Sequence, residues 1–245
     1  MTTALTLEGI TKRFGGLAAL QDVTVQIASG DITGLIGPNG AGKTTLFSII
    51  AGKTRPTVGR VVCFDRDITG WSAHAVCRLG VCTTHQVVRP FGELTVLENV
   101  RVGASFGASG RLGGRTADEE AGDILTFVGL AHRRDSLASA LTLAQRKRLE
   151  IARALATRPT VLLLDEVLAG LTPAEIQQAV ELVRQIRARG ITIVMIEHVM
   201  RAVMDLSDRV LVLNYGRLIA DGSPAAVANN PQVIEAYLGE KISEN

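Results

Sequence analysis

Long apolar runs are missing from this chain. The longest stretches, Val161 to Leu164 and Ile191 to Ile196, fall far short of the ~20 residues that a membrane-spanning helix needs, so no span is predicted. Cysteine is scarce: Cys63, Cys77 and Cys82 are odd in number and form no CxxC pair. That excludes a disulfide framework and a zinc site and leaves three ordinary buried or half-buried thiols. A dominant charge is absent too, since 26 basic residues face 24 acidic ones, and a net charge of +2 provides no field for a nucleic acid or another polyanion. The opening MTTALTLEGITKRF has no basic segment leading into an apolar one, which argues against a cleaved export signal and predicts a protein that stays in the cytoplasm. Aromatics are few, and the single tryptophan, Trp71, is assigned to packing. What is present is 47% apolar residues over 245 positions, enough to exclude disorder and to build one integrated core.

Short bursts of alternating residues, LTLEGITKRF, VTVQI and ITGLI, are separated by Gly15-Gly16 and Ser29-Gly30 and read as strands. Further strands are expected at 59–64, 79–84, VLLLD, ITIVMI and RVLVL. Helices are expected at about 42–50, up to Ala156, at Pro173 to Arg187 and near Met200. Between Gly92 and Ala140 the texture changes: Thr95 to Val102 and Ala117 to Val128 show helical spacing around a Gly-, Ser- and Arg-rich loop. The alternation elsewhere predicts an α/β fold, with a mostly parallel sheet covered by helices and a helical insert.

The segment Gly37-Pro38-Asn39-Gly40-Ala41-Gly42-Lys43-Thr44, followed by Thr45, satisfies GxxxxGK[ST] between a strand and a helix. Glycines let the loop turn tightly, so that successive amides and the helix start face a polyphosphate. Lys43 would bridge the outer phosphates, and the Thr44 hydroxyl would hold magnesium. A second GKT, Gly52-Lys53-Thr54, has Phe47 where the first glycine belongs and is discounted. Asp165 and Glu166 end a buried strand. The carboxyl ends of parallel strands form the ligand crevice, so Asp165 could reach the same magnesium and Glu166 could serve as general base for water. The alternative is merely the polar end of a strand. Arg146-Lys147-Arg148 is read as the solvated face of a helix.

The stretch LTLAQRKRLEIARAL, Leu141 to Leu155, resembles the signature helix of ABC-type ATPases, whose usual form is LSxGQ before a basic run. Gln86 in VCTTHQ then matches that family's Q-loop glutamine, and ELTVLENV follows it as the family has it. Ala169-Gly170-Leu171-Thr172 occupies the D-loop, His198 in IEHVM matches the switch histidine, and Phe14 stands where an aromatic stacks on adenine. FGGLAAL, EHVM and the closing NYGRLIADGSPAAVANNPQVIEAYLG resemble the LivG-like branch that serves branched-chain amino acid uptake. The resemblance covers essentially the whole chain.

It implies a P-loop NTPase (ABC-type) core with an N-terminal antiparallel β subdomain. The chain would be a single domain, with 1–87 and 156–245 as the core and 88–155 as a helical subdomain carrying the signature. It further implies ATP and Mg2+ as ligands, with Thr44, Gln86 and Asp165 around the metal and Glu166, His198 and Gln86 in catalysis. Thr142, Leu143, Ala144 and Gln145 would act in trans on the nucleotide of a second cassette, in a heterodimer. Other implied partners are transmembrane permeases and, indirectly, a solute-binding protein, but no nucleic acid. The location would be peripheral, on the cytoplasmic face of the inner membrane. A catalytically weak regulatory cassette and a soluble non-transport ABC ATPase are the alternatives. Thr142 and Ala144 depart from the usual Ser and Gly, His85 from an aromatic, and Thr172 from Asp or Asn. Thr142 with Gln145 also forms a capping box, which accounts for both residues without nucleotide. Val87 to Leu94, with Arg89, Phe91 and Glu93, is the candidate groove for a permease helix, unless Phe91 packs inward.

Overall fold

The computed structural model describes residues 2–84, 90–107 and 116–242. Its strands are β1 (Thr3–Phe14), β2 (Leu17–Ala28), β3 (Ile32–Ile36), β4 (Val58–Cys63), β5 (Arg66–Asp67), β6 (Val81–Thr83), β7 (Val161–Asp165), β8 (Thr192–Ile196), β9 (Arg209–Asn214) and β10 (Arg217–Gly222). The helices are α1 (Lys43–Ile50), α2 (Ala73–Leu79), α3 (Val96–Phe106), α4 (Ala117–Phe127), α5 (Leu143–Ala156), α6 (Pro173–Ala188), α7 (Met200–Leu206), α8 (Pro224–Ala228) and α9 (Pro231–Ile242).

Two sheets form. One is antiparallel, in the order β2-β1-β4-β5; the other, β10-β9-β3-β8-β7-β6, is parallel except for β10. Every residue of β3, β7 and β8 is buried, as expected of parallel strands covered on both faces. Alternation then divides their side chains. Leu162, Leu164, Ile193 and Met195 join a core with the helices, while Val161, Leu163, Val194 and Ile196 join a second core with α1 and the antiparallel sheet. The expected N-terminal antiparallel subdomain and mostly parallel sheet are both present.

Between β6 and β7, helices α3, α4 and α5 pack on one another. Each begins at a threonine whose hydroxyl accepts the amide three residues on, while that residue's side chain returns to the threonine amide: Thr95 with Glu98, Thr116 with Glu119, Thr142 with Gln145. The three cysteines are free; Cys63 is buried, Cys77 and Cys82 half-buried. Trp71 packs against the second core and carries the Arg66 guanidinium 4.6 Å from its ring centre. No described helix is long and apolar enough to cross a membrane.

Candidate functional site

The buried strand β3 delivers the chain into the glycine-rich turn. Two of its glycines are dictated by space and conformation. At Gly37 (φ +147°) a Cβ would lie 2.0 Å from the Leu213 carbonyl oxygen, and at Gly42 (φ +104°) it would lie 2.5 Å from that of Ala19. Gly42 also precedes α1 without a side chain to cap it, so the first-turn amides are left for a ligand. The Lys43 ammonium, 7% exposed, turns back and donates to the Gly37 carbonyl at 2.6 Å and the Pro38 carbonyl at 2.8 Å. A polyphosphate would exchange these neutral acceptors for charged ones.

A cleft of about 580 Å³ lies over this turn, lined by Asn39 to Thr45, Phe14, Leu17, Glu166, His198 and Tyr215. Phe14 is 51% exposed at the end of β1, with the Lys12 ammonium 4.9 Å from its ring centre. Thr44 is exposed in the same cleft.

Asp165 closes β7 at 8% exposure. Its backbone amide donates to the Thr84 hydroxyl at 3.0 Å, while its Oδ1 is buried with no hydrogen-bond partner among the described residues. Burial pushes this carboxyl above its usual range, as does Glu166 beside it; Lys53, His198 and Lys43 pull the other way. An orphaned buried carboxylate oxygen fits magnesium, which takes one or two protein oxygens and draws the rest from phosphate and water. No group of three His, Cys, Asp or Glu residues that could hold a metal occurs among the described residues. Gln86, with His85 and Val87 to Arg89, lies outside the described residues.

Glu166 has a left-handed backbone (φ +50°), and its amide donates to the Ile196 carbonyl of β8 at 2.9 Å. Its Oε1 is 2.9 Å from the exposed His198 Nε2. The two residues come from the ends of neighbouring strands, and so the sheet itself joins them.

The signature residues Thr142, Leu143, Ala144 and Gln145 are not among those lining this cleft. Thr142 accepts the Gln145 amide at 3.3 Å and Gln145 Oε1 accepts the Thr142 amide at 3.1 Å. Leu143 abuts Gly170 of the following loop. One sequence expectation is corrected here: Lys147 is 7% exposed and donates to the Glu166 carbonyl at 2.6 Å, so the basic run is not one solvated face. Lys147, Glu150, Ile151 and Ala154 are all buried, and that spacing marks them as one inward stripe. Glu197 is a further buried charged residue that motif spacing does not single out. It is 1% exposed and accepts the Leu168 amide at 2.8 Å.

Comparison with known proteins bears on this cleft. The model of the ABC transporter family matches residues 20–169, and that of the branched-chain amino acid ATP-binding cassette transporter family matches residues 217–242. The chain is similar to the high-affinity branched-chain amino acid transport ATP-binding protein LivG of Salmonella typhimurium, with 41% identity over 96% of this chain and 98% of the relative. It is similar to BraF of Pseudomonas aeruginosa, with 39% identity over the same shares. Among solved structures, the ADP conformation of MJ1267, an ATP-binding cassette of an ABC transporter, superposes with a TM-score of 0.88 at 34% identity, covering 98% of this chain and 100% of that one.

Proposed function

Since this chain belongs to the ABC transporter family, as an ATP-binding and ATP-hydrolysing cassette, we propose that it powers an importer of branched-chain amino acids or related solutes. The match over 217–242, outside the general cassette region, carries the choice of solute class. The cassette works with transmembrane permeases and pairs with a second cassette. The pair would be a heterodimer, seated peripherally on the cytoplasmic face of the inner membrane, with a solute-binding protein acting through the permeases.

In this reading the loop amides and Lys43 bind the β- and γ-phosphates, and the exposed Phe14 stacks on adenine. Thr44, Asp165 and Gln86 would hold Mg2+, which supplies charge neutralisation on the phosphates when bound. Glu166 accepts a proton from the attacking water. His198, 2.9 Å away, holds that carboxylate in line and senses the terminal phosphate. Phe91, 46% exposed with the Arg153 guanidinium 4.9 Å from its ring centre, suits an apolar anchor for a permease helix.

The test is ATP turnover by the reconstituted complex, with and without binding protein loaded with leucine, isoleucine or valine. Turnover should rise only with the loaded protein. Stimulation by none of the three, with activity driven by another solute, would overturn the solute class.

A further inference from the structure

Two buried charged side chains lie directly behind the Glu166–His198 pair, and the reaction as described uses neither. Lys147, from the middle of α5, sends its ammonium to the Glu166 backbone carbonyl at 2.6 Å. Glu197, at the end of β8, accepts the Leu168 amide at 2.8 Å, and its Oε2 is buried with no hydrogen-bond partner among the described residues. Burial holds the pKa of the Lys147 ammonium below its usual value, and the Glu197 and Glu166 carboxylates pull the other way. The peptide between these anchors is the one that sets Glu166. Residue 166 is left-handed without being glycine, a conformation that persists only where its surroundings over-determine it. Its amide is fixed to β8, its carbonyl to α5, and Leu168, two residues on, to Glu197.

We propose that Lys147 and Glu197 are positioning residues, a buried brace that holds the 166–168 backbone so that the Glu166 carboxylate meets His198 and the attacking water. This rests on the reading of Glu166 as the base. Burying an ammonium and a carboxylate is costly, so a packing role alone would be met more cheaply by apolar side chains of the same volume. What apolar groups cannot do is grip a carbonyl and an amide. Lys147 also sits on the helix that begins with the signature, so the grip joins that helix to the chain's own catalytic carboxylate.

The experiment compares Lys147→Met and Lys147→Arg in the assembled complex, each also in a Glu166→Gln background, measuring kcat, ATP affinity and Tm. Lys147→Met should lower kcat about tenfold or more, since small misplacements of a base are costly, and leave ATP affinity within about twofold. Lys147→Arg, which can still donate to the carbonyl, should recover most of the loss. In the Glu166→Gln background Lys147→Met should cost nothing further, because the group it aims is already disabled. A kcat for Lys147→Met within twofold of wild type, or an equal loss with and without Glu166, would overturn the brace. Should Lys147→Met fail to fold, Lys147→Gln is read by the same two criteria. If Glu166→Gln itself turns over like wild type, the base reading falls and the brace with it; if only the Lys147 variants are unaffected, the brace falls alone.

Discussion

Glu197 follows β8 as a buried carboxyl that accepts the Leu168 amide. Desolvation pushes its carboxyl up to about 7 from an ordinary value of 4.5, with Lys147 and the Leu168 amide opposing the shift. Between those values the folded chain keeps a proton that the unfolded chain has released. The stability Glu197 contributes is therefore full below about pH 4.5 and falls as pH rises through about 7. Denaturant midpoints measured from pH 4.5 to 8 should decline more for wild type than for Glu197→Gln, whose amide does not titrate; parallel curves would refute this. The candidate residues legible in sequence are those whose spacing states a mechanism: Gly37 to Thr44 by its motif, Asp165 and Glu166 by the buried strand before them. Glu197 ends an equally buried strand, ITIVMI, but the histidine beside it drew the functional reading. Lys147 was hidden by its basic neighbours, although helical geometry turns the middle of three consecutive residues away from the outer two.

Elements were largely readable from their periodicity, and the helical block between β6 and β7 stands where the change of texture put it. The contacts that hold its leading loop were not readable: backbone bonds from Ala138 to Leu94 and from Ser139 to Gly92 fix it to the segment just before α5, and one buried asparagine adds side-chain bonds. Asn99 is fully buried on the inward stripe of α3, beside Val96 and Val100. Its Oδ1 accepts the Phe91 amide at 2.9 Å, and its Nδ2 donates to the carbonyls of Phe91 at 3.0 Å and Thr95 at 2.9 Å. It thereby moulds the loop that presents Phe91 and Glu93. Asn99→Ala should destabilise the fold by about 2 kcal/mol, through buried groups left unpaired, and should weaken crosslinking to the permease from a cysteine at position 93. Unchanged stability and unchanged crosslinking would show that the loop is held by other means.

At the scale of the whole molecule, the signature at the start of α5 does not line the chain's own cleft, which leaves it to act on a second cassette in the proposed pairing. If the proposed pair is head-to-tail, each signature would serve the other cassette, so Thr142 and Ala144 would weaken the partner's site and leave the loop at Gly37 to Thr45 dependent on the partner's signature. Ala144 favours the helix by up to ~1 kcal/mol over glycine, yet its Cβ obstructs close backbone approach to a phosphate. Restoring Gly at 144 should raise turnover of the complex even when Glu166 of this chain is Gln; no change in that background, or a fully active homodimer, would contradict the asymmetric pairing. The most direct test of the central claim separates binding from chemistry, by measuring ATP affinity and turnover of the complex for Lys43→Ala and Glu166→Gln. Lys43→Ala should lose most nucleotide binding, whereas Glu166→Gln should bind ATP as wild type does and turn over ~10²-fold more slowly, as a lost general base requires. A Glu166→Gln complex that hydrolyses ATP at the wild-type rate would contradict the account.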